Sequence, residues 1–123
     1  MRDEPIFHLA LPEDWAAAFK TGDYRMSTRG LPLDAVGFIH ASFGPQVEVT
    51  ANRFYDDVDQ LVRLMIDPQK VPAEIREEPP EPGSDERFPH IYGPLPIDAV
   101  IVTDVWFRGP HGWRIDDLRS HQG

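Results

Sequence analysis

The stretch Arg87-Phe88-Pro89-His90-Ile91-Tyr92-Gly93-Pro94-Leu95-Pro96 sets a histidine and a tyrosine among three prolines and a glycine. Each proline fixes its own φ, removes a backbone donor and pushes the residue before it toward extended geometry. The stretch therefore reads as a short, rigid strand. His90 and Tyr92 are two residues apart, so an extended backbone sends both side chains to one face. An imidazole and a phenol held this way suit the wall of a site.

Upstream, Pro79-Pro80-Glu81-Pro82-Gly83-Ser84-Asp85 reads as a loop feeding that strand. Of the acids Glu81, Asp85 and Glu86, only Glu86 is near enough in sequence to serve as an acid or base, and the bland alternative is solvated loop charge. Further upstream, Val71 to Glu78 has room for a short strand, and Leu61 to Ile66 is a strand stopped by Asp67-Pro68. Downstream, Ala99 to Phe107 is the longest strand. Gly109 to Gly112 reads as a hairpin turn that returns through Trp113-Arg114-Ile115, and the last eight residues are polar and expected to fray.

The first half alternates strand and helix. Ile6 to Ala10 is a strand interrupted by His8. Pro12, Glu13 and Asp14 open a helix whose apolar stripe is Leu11, Trp15, Ala18 and Phe19 and whose end is Gly22. Tyr24 to Leu33 reads as a loop. Gly37 to Ser42 is a second strand, with Phe38, His40 and Ser42 on one face. A second helix covers Gln46 to Tyr55, with Val47, Ala51 and Phe54 as its stripe, and Asp56, Asp57 and Asp59 close it as a solvated acidic corner. Helices early and strands late predict an α+β domain with a split or strongly bent sheet rather than a doubly wound one. No glycine-rich phosphate loop occurs.

Composition narrows the function classes. The 123 residues suit one domain, and 41% are hydrophobic, enough for a core. No apolar run approaches the roughly 20 residues of a membrane span, and Met1-Arg2-Asp3-Glu4-Pro5 carries no apolar signal core. The chain has no cysteine, which excludes disulfides and thiolate metal sites and favours a cytoplasmic location. A net charge of −9 opposes nucleic acid. Ten of the twelve basic residues are arginines, so a local pocket for a small anion remains open beside the alternative of surface ion pairs.

Three histidines, His8, His40 and His90, fall on expected strands. They suit hydrogen bonds to, or proton exchange with, a bound small molecule, and equally a purely structural role inside a sheet. Their spacing lacks a short-range ligand pair, so no metal is expected. Ser42 runs parallel to His40 and is poorly placed for activation as a nucleophile. Arg53 is either a contact to the helix C-terminus or an anion clamp, and Tyr92 either stacks on a ligand or fills a core edge.

Ile6-Phe7-His8, Gly37-Phe38-Ile39-His40-Ala41-Ser42, Ala51-Asn52-Arg53-Phe54-Tyr55 and Phe88 to Pro96 together resemble a small bacterial family catalogued as domain of unknown function 952, across residues 5–107. That family is itself similar to a compact, distant ADP-ribosyltransferase fold. The resemblance implies NAD or a related nucleotide as ligand, His8 near its ribose or phosphate, and Ser42 with His40 near its nicotinamide. On the late strand where transferases carry a catalytic glutamate, this chain has His90 or Tyr92.

The reading is therefore one α+β domain, ADP-ribosyltransferase-like. A split, curved, mostly antiparallel sheet of about six or seven strands carries two helices, and residues 108–123 form a C-terminal hairpin and tail. His40 and His90 are the candidate catalytic residues, and His8, Ser42, Arg53 and Tyr92 the candidate ligand contacts. The expected partner is a small anionic or nucleotide-like molecule. The alternative is a non-catalytic module that meets a protein through Pro79 to Pro82.

Overall fold

The computed structural model describes residues 4–80 and 82–121. The expectations for Met1 to Asp3, for Glu81 and for the last two residues lie outside them. The described residues form an α+β domain of mostly antiparallel sheets with few helices. None of these helices is long and apolar enough to cross a membrane.

β1 (Ile6–Ala10) is buried along its whole length. It pairs on one side with β7 (Gln60–Ile66) and on the other with β6 (Ser42–Phe43). β11 (Val100–Phe107) adds to β7 and β12 (Leu118–His121) adds to β11, giving the antiparallel order β12-β11-β7-β1-β6. Alternation along β7 explains why both faces are covered. Val62, Leu64 and Ile66 join Ile6, Ala10, Tyr24, Ile39 and Ile91 in one apolar cluster. Leu61 joins Phe7, Leu9, Trp106 and Trp113 in the other. The second cluster is roofed by Val47 and Ala51 of α3 (Val47–Phe54) and by Tyr55 just after it.

α1 (Pro12–Thr21) begins at its proline and ends on Gly22 at φ 88°, whose N–H donates to the Ala18 carbonyl at 2.8 Å. The apolar stripe is narrower than expected, since Phe19 is 59% exposed while Ala18 is buried. Phe54 likewise leaves the core, and the next residue, Tyr55, takes its place. In both helices the outermost aromatic of the stripe is more than half exposed.

Residues 24–33, expected as a loop, hold paired backbone. β2 (Asp23–Tyr24) pairs with β10 (Leu95–Pro96), and β3 (Met26–Thr28) pairs with β4 (Leu31–Pro32) ahead of a one-turn helix, α2 (Leu33–Val36). The expected count of two helices thus omits this turn.

The sheet is split, and the expected second strand shows where. β5 (Ile39–His40) pairs with β9 (Phe88–Ile91), which pairs with β8 (Ile75–Glu78) in a separate three-stranded sheet. Ala41 donates its N–H to the Pro89 carbonyl at 3.0 Å. The next two residues are β6, already in the large sheet. One extended run, residues 39–43, therefore belongs to both sheets.

The C-terminal expectation needs two corrections. Gly109 and Gly112 do bridge, but the return is not a strand at 113–115. Trp113 instead plugs the second core, held by the Asn52 amide: its N–H donates to Asn52 Oδ1 at 2.8 Å and its carbonyl accepts from Asn52 Nδ2 at 2.9 Å. The tail expected to fray contains β12, because an edge strand needs only backbone partners and tolerates polar side chains.

Two glycines of similar φ separate backbone strain from crowding. A Cβ on Gly22 meets nothing within 4 Å, whereas one on Gly112, at φ +93°, would lie 2.6 Å from Asn52 Oδ1. Gly22→Ala is expected to cost about 1 kcal/mol. Gly112→Ala is expected to cost about 2 kcal/mol or more, because it also disturbs the Trp113 clasp. Urea denaturation of both variants checks this, and equal midpoints would contradict it.

Candidate functional site

The register between β5 and β9 sets His40 directly opposite His90, so both imidazoles leave one face. Their ring centroids are 5.2 Å apart and nearly perpendicular, and Phe38 stacks on His90 at 4.1 Å. β8 lies on the other side of β9, with Arg76 opposite His90 and Glu78 opposite Phe88. Alternation brings Glu78 to the same face, diagonal to His90.

Glu78 Oε1 accepts from His90 Nδ1 at 2.9 Å and from the Tyr92 hydroxyl. Those two bonds, the Tyr92 bond first, hold the Glu78 carboxyl below its usual range, and the bond to Glu78 pushes the Tyr92 hydroxyl upward. A carboxylate only accepts, so Nδ1 carries the proton and the lone pair of neutral His90 sits on Nε2. Nε2 is buried and has no partner within the protein.

His8 has the opposite environment. Its Nδ1–H donates to the His40 carbonyl, which can only accept, and its Nε2 accepts from the Tyr24 hydroxyl at 2.9 Å. Burial lowers its pKa to about 4, against the backbone bond to His40, which raises it. Burial also raises the Tyr24 hydroxyl. His8 is thus a neutral, fully bonded imidazole. His40 is lowered by burial and then by its neighbour His90.

A cavity of about 300 Å³ opens where the two sheets part. His8, His40, Ser42 and His90 all line it, so the structure brings together four of the six residues singled out in the sequence. Phe7 and Leu9 of β1, Phe54 of α3 with Tyr55 just after it, and Phe88 of β9 supply its apolar wall, and Pro80 of the proline-rich loop closes one side. Ser27 and Thr28 of β3 complete it. Ser42 Oγ lies 3.5 Å from Thr50 Oγ1, Thr28 Oγ1 lies 3.1 Å from the Tyr55 hydroxyl, and Ser27 Oγ is buried without a partner.

The other two residues stand apart. Tyr92 is outside the wall and reaches it through Glu78 and through the Phe38 ring. Arg53 is exposed on α3, its guanidinium 5.2 Å from the centre of the Phe54 ring, so one side chain separates it from the cavity. The arginine bias expresses itself in ion pairs. Arg29 pairs with Asp57 and Arg108 with Asp59, which ties down the acidic corner, and Arg63 pairs with buried Asp104. Glu86 accepts from Gln46 Nε2 at 3.4 Å on an exposed loop and is not in the wall. Among the described residues, no three His, Cys, Asp or Glu side chains are placed to share a metal ion.

The sequence reading missed Glu78, Ser27 and Tyr24. A signal for Glu78 existed. If the proline-rich loop joins two antiparallel strands, alternation in Ile75-Arg76-Glu77-Glu78 puts Arg76 and Glu78 on the His90 face. Ser27 and Tyr24 lie on two- and three-residue strands that leave no periodic trace.

Residues 9–103 match the model of a family described as "Protein of unknown function (DUF952)". The fold is similar to that of protein CC0527 from Caulobacter crescentus. Its crystal structure is 27% identical, with a TM-score of 0.78, covering 92% of this chain and 96% of that one. The solution structure of the same protein gives a TM-score of 0.71, with 89% and 90% covered. No curated protein matches the chain significantly.

The His8 environment has a pH signature. An unfolded histidine takes a proton near pH 6.5, while folded His8 stays neutral down to about pH 4. Between these values the unfolded chain binds more protons, so stability is full above pH 6.5 and falls as pH drops toward 4. The loss is on the order of 3 kcal/mol. His8→Asn, which keeps a donor for the His40 carbonyl, should be less stable at pH 7.5 and lose this part of the slope. Denaturant midpoints from pH 7.5 to 4 that run parallel in the two proteins would refute the assignment.

Proposed function

The chain belongs to the DUF952 family, whose function is unknown, and on that footing we propose that the cavity at the sheet split binds a small molecule whose proton His90 accepts. The observation that carries this is the pairing on one ring: Nδ1 donates to an ionised Glu78, and Nε2 is buried without a partner on a residue of the cavity wall. A carboxylate behind an imidazole fixes its tautomer, the arrangement that general bases use. Glu78 is partly exposed, with 32% of its side chain accessible, so a proton taken at Nε2 has an exit from Nδ1 toward solvent. Tyr92 holds Glu78 in place, and His40 is the second titratable ring beside the same site.

The size suits an ordinary small-molecule pocket, at the lower end of the usual range. Pro80 in the wall favours this reading over a protein-docking loop. The NAD-like ligand implied by the ADP-ribosyltransferase resemblance finds partial support. The cavity lies at the split of the sheet, and an uncharged ring fits its apolar wall. Among the described residues no lysine or arginine lines it, so phosphates would stay outside, toward Arg53 beside Phe54. A cytoplasmic setting and the exclusion of nucleic acid are part of the proposal, on the absence of cysteine and the net charge of −9.

Titration of the protein, carrying nitrogen-labelled histidine, with nicotinamide, ADP-ribose, NAD and a neutral fragment set tests this. Binding should move the His90 Nε2 resonance and weaken by about tenfold in His90→Ala and Glu78→Gln. Arg53→Ala should weaken ADP-ribose and leave nicotinamide unchanged. Resonances of the lining residues unmoved by every probe at millimolar concentration would remove the reading.

A further inference from the structure

We infer that the buried end of the ligand is an uncharged aromatic ring bearing a hydroxyl or N–H donor; this rests on the cavity being a ligand site and names what it selects. Among the polar side chains of the wall, His40 is the exposed one, so the buried end is defined by the others. His8 has both ring nitrogens engaged, Nδ1 with the His40 carbonyl and Nε2 with the Tyr24 hydroxyl, so it offers a ligand nothing. The hydroxyls of Tyr55 and Thr28 pair with each other, as do those of Ser42 and Thr50. Among the described residues, the side-chain polar atoms buried without a partner are two, His90 Nε2 and Ser27 Oγ, and both residues line this cavity. A buried polar atom left unpaired is costly, so such atoms mark where an external group completes the set.

The chemistry of those two atoms dictates the group. With its Nδ1 proton committed to Glu78, His90 Nε2 can only accept, so the ligand must donate. Ser27 Oγ both donates and accepts, so it fits a second lone pair or proton on the same polar end. An anionic head is disfavoured, because it lacks a proton for Nε2 and no described lysine or arginine lines the wall to offset its desolvation. A cationic head is disfavoured because no carboxylate among the described residues lines the wall; Glu78 stands behind His90.

The body of the ligand follows from the remaining surface. Phe7, Phe54, Tyr55 and Phe88 present aromatic rings, which favour stacked or edge contacts with another ring. An apolar cavity of about 150 Å³ already accepts benzene, so about 300 Å³ holds one substituted or fused ring system and not a dinucleotide. The step required is a hydrogen bond, with the ligand O–H or N–H pointing at Nε2. Full transfer leaves an imidazolium whose Nδ1–H faces the Glu78 carboxylate.

Phenol, anisole, benzoate and benzene distinguish this inference from the reading on which it rests. Anisole keeps the ring of phenol and lacks the donor. In the protein carrying nitrogen-labelled histidine, phenol should bind saturably, shift His90 Nε2, and exceed anisole in affinity by about tenfold. Benzoate should be weaker than phenol. Ser27→Ala should weaken phenol by a few-fold and leave benzene unchanged, and His90→Phe should abolish the preference for phenol over anisole while a thermal melt confirms folding. If anisole or benzoate binds as well as phenol, the donor rule is wrong though the cavity is still a ligand site. If none of the four, benzene included, perturbs a lining residue, both this inference and the ligand site fall.

Discussion

The architecture turns on one buried imidazole. His8 stands in β1, inside the large sheet, and its Nδ1–H reaches the backbone carbonyl of His40, which belongs to the small sheet. Its other nitrogen takes the Tyr24 proton, and Tyr24 pairs in turn with Leu95 on a third, two-stranded ribbon. One side chain thus joins three separately hydrogen-bonded pieces of backbone. The joint works only while the ring is neutral. A protonated Nε2 would face the Tyr24 oxygen in a place where desolvation already penalises charge. The burial that depresses the pKa of His8 is therefore the same fact as its structural role.

That joint explains why a cavity exists at all. A continuous sheet would have carried residues 39–43 along β1 as an ordinary neighbour. The run instead gives its first two residues to β9, donates the Ala41 N–H to Pro89, and gives only its last two to β1. Beyond Phe7, β1 has lost its partner on that side, and the gap between the diverging sheets is what α3, β3 and the loop around Pro80 enclose. Pro89 suits the junction. It needs no ladder donor of its own at that position and it stiffens the strand that carries His90.

Much of this was legible in the sequence wherever the signal was local and periodic. Pro12 and Gly22 bracket α1, β1 falls on Ile6 to Ala10, β7 is stopped by Asp67-Pro68, and β11 is the longest strand. The convergence of His8, His40 and His90 was also within reach, since three strand histidines in an α+β domain have few places to go. The rest depends on partners far away in sequence. β2 and β12 are too short or too polar to announce themselves, and they exist because Leu95 and Trp106 offer them backbone. Phe19 and Phe54 were misplaced because a helical stripe fixes a direction and not its width. Arg53 shares the helix of Thr50 and Phe54 but stands outside the wall with its guanidinium over the Phe54 ring, and no pattern of spacing reveals that arrangement.

The three histidines show why residue type alone could not assign roles. His8 and His90 are both buried on strands, and each donates from Nδ1. The acceptor decides between them. A backbone carbonyl carries no net charge, so it gives an imidazolium little compensation for leaving water, and with Nε2 already bonded to Tyr24 the ring is held neutral. The Glu78 carboxylate instead accepts the Nδ1 proton of His90 and fixes its tautomer, and Nε2 of His90 is left without a partner in the protein. The difference between the two buried histidines of this protein thus lies in Glu78, a residue supplied by a neighbouring strand whose register is set across the proline-rich loop.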